Sequence, residues 1–184
     1  MKLPLASLSL LALLGWAPPS LAAPPVDPRP WAATLRAGAF VLNSNGVAGH
    51  PAGPDVELTL GRSIYDLVSI EVNAGAYAAP LTGTGTQLTV VPLTVSLQLT
   101  AAPERGFEPY AVAGLGAAIT RLRGGSLAAE NATTMTYHAG LGVRRMLGEA
   151  VYGGLEARYV FQSGVEPELR LDGLRISLLA GARF

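Results

Sequence analysis

Residues 174–184 alternate between apolar and other side chains, and this pattern constrains the fold more than any other feature of the chain. Every second residue is apolar: Leu174, Ile176, Leu178, Ala180, Ala182 and Phe184. Arg175 and Arg183 lie between them. Successive side chains of a β-strand point to opposite sides, so one face of this segment is apolar and the other carries two arginines. The segment is therefore predicted to be a strand with one face against an apolar phase.

Seven further runs with the same alternation precede it, separated by Gly, Pro, Asn and Asp. Strands are predicted at residues 34–42, 55–64, 68–78, 88–100, 109–120, 135–146, 150–161 and 173–184. A tilted strand crosses a bilayer in about 9–11 residues, and single-chain bacterial barrels have an even number of strands. The predicted fold is all-β: residues 34–184 form an eight-stranded antiparallel up-and-down transmembrane β-barrel.

The predicted connections alternate in length, as they do in membrane barrels. The shorter ones span 65–67, 101–108 and 147–149, and the longer ones span 43–54, 79–87, 121–134 and 162–172. This asymmetry places both termini and the shorter connections in the periplasm. The aromatic residues lie near the predicted strand ends, in the two bands that lipid interfaces favour.

The first 33 residues are predicted to lie outside the barrel. Residues 1–22 read as a cleaved signal peptide, with Lys2, an apolar run, and small residues at Ser20 and Ala22. Residues 23–33 are expected to be a periplasmic leader, because their prolines cannot donate to a strand ladder. The chain has no Cys, which excludes disulfides and thiolate metal sites. Its thirteen basic and thirteen acidic residues form no basic block for nucleic acid.

A polar network is predicted on the inward face, because the interior of an eight-stranded barrel is just wide enough to be filled by side chains. Its expected members are Arg36, Glu57, Glu71, His138, Arg144, Glu156, Arg158, Arg175 and Arg183. Five arginines face three carboxylates in this set, so an excess of positive charge is expected. Glu156 is expected to pair with arginines of the last two strands. The network is read either as a plug that holds the barrel rigid or as a narrow conduit that favours anions.

A soluble barrel is the structural alternative, because a lipocalin-like protein shows the same alternation with its apolar face inside. The glycines argue against it. They recur on the polar face, for example at Gly114, Gly140 and Gly142. Small residues there leave room for large charged neighbours inside a narrow barrel, which favours the membrane barrel.

His138 is the candidate for catalysis. Lipid A deacylases of the PagL type place a His and a Ser two residues apart on one strand, whereas Ala139 and Gly140 follow His138. The nucleophile is missing from that position, so we expect no enzymatic activity. No spacing of His and carboxylates predicts a metal site, and no motif predicts a cofactor.

Residues 108–116, Glu-Pro-Tyr-Ala-Val-Ala-Gly-Leu-Gly, resemble the fifth strand of the small outer-membrane barrel superfamily, which includes OmpA-type, OmpX-type and OmpW-type proteins. Residues 139–143 fit the strand that follows, and Phe184 resembles the C-terminal aromatic that the barrel assembly machinery reads. The resemblance implies a bacterial outer-membrane location, with lipid and that machinery as partners. No residue pattern identifies a ligand.

The expected function is a non-enzymatic integral outer-membrane barrel with a structural or surface-interaction role and a lumen filled by polar side chains. The alternative is a narrow conduit for small solutes, as the OmpW-type resemblance implies. A lipid-modifying barrel enzyme is a third alternative.

Overall fold

The computed structural model describes residues 29–43, 50–81, 85–101, 106–124, 131–163 and 171–184. The predicted signal peptide and residues 23–28 of the predicted leader lie outside the described residues. The chain forms eight strands, β1 Trp31–Leu42, β2 Ala52–Tyr65, β3 Val68–Leu81, β4 Thr86–Thr100, β5 Phe107–Arg123, β6 Asn131–Met146, β7 Val151–Gln162 and β8 Gly173–Arg183. Each strand pairs with its neighbours in sequence, and β1 pairs antiparallel with β8 to close the barrel. The predicted fold class is confirmed.

No helix among the described residues is long and apolar enough to cross a membrane.

Several strands extend beyond their predicted bounds, because backbone pairing continues where the side-chain alternation weakens. β1 begins at Trp31, whose backbone exchanges hydrogen bonds of 3.1 and 2.9 Å with Phe184. Residues 31–33 therefore belong to the barrel instead of to the predicted leader. β3 and β4 stay paired as far as Leu81 and Thr86, so their connection is short where a long one was expected.

The outward side chains form a continuous apolar belt, which includes Leu35, Leu58, Val72, Leu93, Val95, Leu115, Leu141, Leu155, Ile176 and Leu178. Leu141 is 69% exposed and Leu178 is 67% exposed. Soluble monomeric proteins rarely expose a continuous apolar surface of this extent. In a bilayer, the hydrocarbon chains of the lipids cover it. The soluble alternative would need these side chains inside, so the faces are those of a membrane barrel.

Interior glycines make room for aromatic and polar side chains. A Cβ atom at Gly142 would overlap the phenol ring of Tyr110, and one at Gly114 would overlap both Ser96 and His138. Gly114 and Gly142 are therefore required by the side chains of their cross-strand neighbours.

The interior changes character along the barrel axis. We call the end where β1 begins and β8 ends the terminal rim, and the opposite end the loop rim. Charged side chains fill the middle and the terminal rim. At the loop rim the interior contains an apolar plug, and it consists of Phe40, Leu42, Tyr77, Leu88, Val90, Ala118, Leu122, Val160 and Leu171. Buried Gln162, Thr120 and Thr134 lie beside it and form hydrogen bonds with one another. The plug departs from the expectation of a lumen that is polar throughout.

Candidate functional site in the barrel lumen

Glu57 lies at the centre of a buried group of charged residues and contacts three arginines. Its Oε1 atom lies 3.3 Å from Nη1 of Arg36 and 3.0 Å from Nη1 of Arg158. Its Oε2 atom lies 2.7 Å from Nη1 of Arg175. All four side chains are buried. Because buried ions require close partners, this arrangement joins β1, β2, β7 and β8 through one carboxylate.

Glu156 and Glu71 complete the pairing of Arg36 and Arg158. Oε1 of Glu156 lies 2.5 Å from Nε of Arg158 and 3.2 Å from Nε of Arg36. Oε2 of Glu71 lies 3.3 Å from Nη2 of Arg36. The hydroxyl of Tyr110 donates to Oε2 of Glu156 over 2.8 Å. Glu156 thus pairs with Arg158 within β7, as expected, and with Arg36 of β1, which was not expected. The ion pairs observed for Glu156 do not include the expected Arg175 and Arg183 of β8.

Arg175 binds Asp55, a residue absent from the predicted network. Nη2 and Nε of Arg175 donate to the two oxygens of Asp55 over 2.7 and 3.0 Å. Such a two-point contact fixes both distance and orientation. Asp55 precedes Glu57 by two residues on β2, so strand parity was the signal that could have identified it.

A second charged group, also inward, lies at the terminal rim around Glu108. Oε2 of Glu108 accepts from Nε of Arg144 and from Nη2 of Arg183, both over 2.6 Å. The Arg144 guanidinium lies 5.3 Å from the ring of Tyr152 and 5.7 Å from that of Tyr110. Glu108 was expected in a connection, but β5 begins at Phe107 and turns it inward.

With Asp55 and Glu108 included, the charges inside the described part of the barrel balance. Five carboxylates, Asp55, Glu57, Glu71, Glu108 and Glu156, face the five predicted arginines Arg36, Arg144, Arg158, Arg175 and Arg183. The expected excess of positive charge is therefore not found among these residues. The reason for the difference is that both missing carboxylates lie near strand ends, where predicted bounds are least reliable.

A chain of neutral hydrogen bonds crosses the lumen beside the charged group. The hydroxyl of Thr59 donates to Asn73 over 2.8 Å, and Asn73 donates to Oγ of Ser96 over 2.7 Å. Oγ of Ser96 lies 2.9 Å from Nε2 of His138. Arg36 also donates to Thr59, which links the two networks.

His138 has a serine next to it after all, although not from its own strand β6. Ser96 comes from β4, and Gly114 of β5 lies between the two residues in register. A Ser–His contact is the start of a nucleophile–base pair. However, Ser96 is 3% exposed and His138 is 5% exposed, and in the described part of the chain no carboxylate binds the other ring nitrogen. The two side chains are buried among the hydrogen-bonded residues of the lumen, which leaves no room for a substrate.

Two cavities that the described residues line inside the barrel, one in the middle and one at the terminal rim, are too small for a solute. The space among Arg36, Glu71, Tyr110 and Tyr152 has no volume for a water molecule. A cavity of about 20 Å³ at the terminal rim, next to Arg183, has room for about one water. Within the described residues, no group of three or more His, Cys, Asp and Glu is placed to hold a metal ion.

No family model matches the chain, and no curated protein matches it. Solved structures of outer-membrane proteins do match its fold. Neisserial surface protein A is 16% identical with a TM-score of 0.69, over 84% of this chain and 97% of that chain. The outer membrane protein OprG from Pseudomonas aeruginosa is 16% identical with a TM-score of 0.57, over 85% and 97%. The outer membrane enzyme PagL is 16% identical with a TM-score of 0.50, over 79% and 97%.

These likenesses confirm the predicted resemblance at the level of fold. The chain has the eight-stranded barrel of small bacterial outer-membrane proteins, and its apolar belt is the surface that such a barrel presents to lipid. Because one of the similar structures is an enzyme, the fold by itself does not exclude enzymatic activity.

Proposed function

We propose that the chain is a non-enzymatic integral protein of the bacterial outer membrane, with a closed and rigid lumen and a structural or surface-interaction role. The observation that carries this proposal is the filled interior: a charge-balanced network in the middle of the barrel and an apolar plug at the loop rim. Five members of the plug, Phe40, Leu42, Leu88, Val90 and Leu171, have no exposed surface.

The solute conduit has less support than the closed barrel. A path for small polar solutes needs continuous space lined by polar groups, and the plug interrupts such a path at the loop rim. The preference for anions also depended on an excess of inward arginines, and the described interior has equal numbers of both charges. Without a wet path, the ion pairs act in a medium of low polarity and hold the wall together.

The enzyme alternative rests on the contact between Ser96 and His138, which brings a hydroxyl next to a base. A general base acts only when substrate can reach it. Here the pair lies within the hydrogen-bonded network, and its serine already accepts a hydrogen bond from Asn73. We therefore assign the pair a structural role.

Conductance of the refolded protein in planar bilayers tests the proposal. We expect insertion without discrete channel events, with a general porin as the positive control for the assay. Insertion is checked separately by a heat-modifiable shift in gel migration and by fractionation with the outer membrane. Discrete conductance steps in the inserted protein would refute the closed lumen and favour the conduit.

A further inference from the structure

Two outward pairs of an arginine and an aromatic residue lie at the terminal rim. The guanidinium carbon of Arg62 lies 5.3 Å from the ring centre of Trp31, and that of Arg145 lies 5.3 Å from the ring centre of Phe107. Both distances are in the range of cation–π contacts. In each pair the two residues are direct cross-strand partners, Trp31 with Arg62 and Phe107 with Arg145.

The two pairs occupy equivalent positions on opposite walls of the barrel. One lies on β1 and β2 and the other on β5 and β6, with two strands between them in either direction. All four side chains are exposed. The outward neighbours along the chain are apolar on both sides, Leu60 and Ile64 for Arg62 and Val143 and Leu147 for Arg145, so both guanidinium groups lie within the apolar surface near its terminal end.

Neither guanidinium has an acidic partner in the described part of the chain. Within the described residues, no hydrogen bond or ion pair involves the side chain of Arg62 or of Arg145. Arg144, the neighbour of Arg145, faces inward and binds Glu108. The inward arginines of the barrel are thus paired, while these two outward arginines carry uncompensated charge beside a ring that positions them.

We propose that each pair binds the phosphodiester group of an anionic phospholipid in the leaflet at the terminal rim. The guanidinium group offers several N–H donors in a planar fork that matches two phosphate oxygens. An aromatic ring at this level packs against the region between headgroup and acyl chain, which is where Trp and Tyr concentrate in membrane proteins. The inference rests on the proposed function, because it requires the belt to lie in a bilayer.

Trp31 itself reports on the first pair. Trp16 is the other tryptophan of the chain, so Trp16→Phe leaves Trp31 as the sole indole. The protein is refolded into phosphatidylcholine vesicles that contain either phosphatidylglycerol or phosphatidylcholine brominated near the carbonyl end of the acyl chains. At equal mole fraction, we expect stronger quenching by the phosphatidylglycerol. The expected preference in apparent binding is about fivefold, which corresponds to about 1 kcal/mol for one arginine at a lipid surface.

Two matched variants locate the preference. Arg62→Gln is expected to abolish it, because the amide has no charge and no fork of donors. Arg145→Gln is expected to leave it unchanged, because that residue lies on the opposite wall. In a Trp31→Phe, Phe107→Trp background the roles exchange: Arg145→Gln abolishes the preference and Arg62→Gln does not.

The outcomes separate this proposal from the proposed function. If neither brominated lipid quenches Trp31, the chain is not embedded in the bilayer and the proposed function fails. If both lipids quench equally in the parent protein, the barrel is embedded but the arginine does not prefer an anionic phospholipid, and the proposed site is refuted. A preference that survives Arg62→Gln also refutes the site.

Discussion

Replacing Glu57 by Gln tests whether the lumen is closed to water. The substitution keeps the size of the side chain and removes its charge. It breaks three buried ion pairs at once, with Arg36, Arg158 and Arg175. Four carboxylates then remain for the five inward arginines of the described interior.

The expected cost follows from what the arginines retain. After the substitution Arg36 and Arg158 still contact Glu156, and Arg175 still contacts Asp55. No arginine loses every partner, so the loss should lie at the lower end of the about 3–5 kcal/mol typical of a broken buried pair. We expect about 3 kcal/mol. Two charges about 4 Å apart interact by about 4 kcal/mol at the effective dielectric constant of a protein, but by about 1 kcal/mol in water.

The measurement is the free energy of unfolding in urea, with the protein in lipid vesicles. Glu149→Gln is the matched control. Glu149 pairs with Arg29 over 3.5 Å at the surface, and exposed pairs contribute less than about 1 kcal/mol. The double variant Glu57→Gln, Arg36→Gln should lose less than the sum of its single changes, by at least about 1 kcal/mol, because it restores the balance of charge.

A loss for Glu57→Gln no larger than that for Glu149→Gln would contradict a lumen closed to water. Water in the lumen would then screen the leftover charge, and the conduit would become the better interpretation.

Three further predictions concern the wall, the closure of the barrel and the buried pair. Leu141→Arg, in the apolar belt, should lower the free energy of unfolding in vesicles by about 2–4 kcal/mol; an unchanged stability would contradict the placement of the belt. Removing Phe184 should lower the amount of folded protein in the outer membrane, because the paired backbone bonds to Trp31 are lost; equal assembly of the truncated chain would argue against a role for this residue. A fluorophosphonate probe should leave Ser96 unlabelled, because Ser96 and His138 are buried; labelling that disappears in Ser96→Ala would revive the enzyme reading.

The strands and their faces could be predicted from the sequence. Lipid outside the barrel and polar groups inside it require apolar and polar residues to alternate along each strand, and this alternation is visible in the sequence. The ion-pair partners of the inward charged residues could not be predicted in this way. Arg175 of β8 contacts Asp55 and Glu57 of β2, on the far side of β1. Such contacts depend on the stagger between strands, which no local pattern records. Ser96 and His138 meet for the same reason, across the intervening Gly114.

The apolar plug escaped prediction for a different reason. At the loop rim many inward residues, such as Phe40, Leu88 and Val90, are apolar like the outward ones. The sequence there does not alternate between apolar and polar residues, so it does not distinguish the inward face from the outward face. The interior was therefore expected to be polar along its whole length. Glu108 was missed because a shift of two residues in the start of β5 decides whether its side chain faces the lumen or lies in a connection.

The closure between β1 and β8 has a consequence for the order of events during folding. Residues 32–42 pair with residues 173–183, so the first strand lacks one of its two neighbours until the last strand has been delivered. Arg175 reaches Asp55 and Glu57 across the same seam, and these salt bridges form only at that moment. Contacts so distant in sequence make folding slow. Before closure, the sheet consequently has two unpaired edges, one on β1 and one on β8. The salt bridges of Arg175 form on closure and stabilise the closed barrel against reopening.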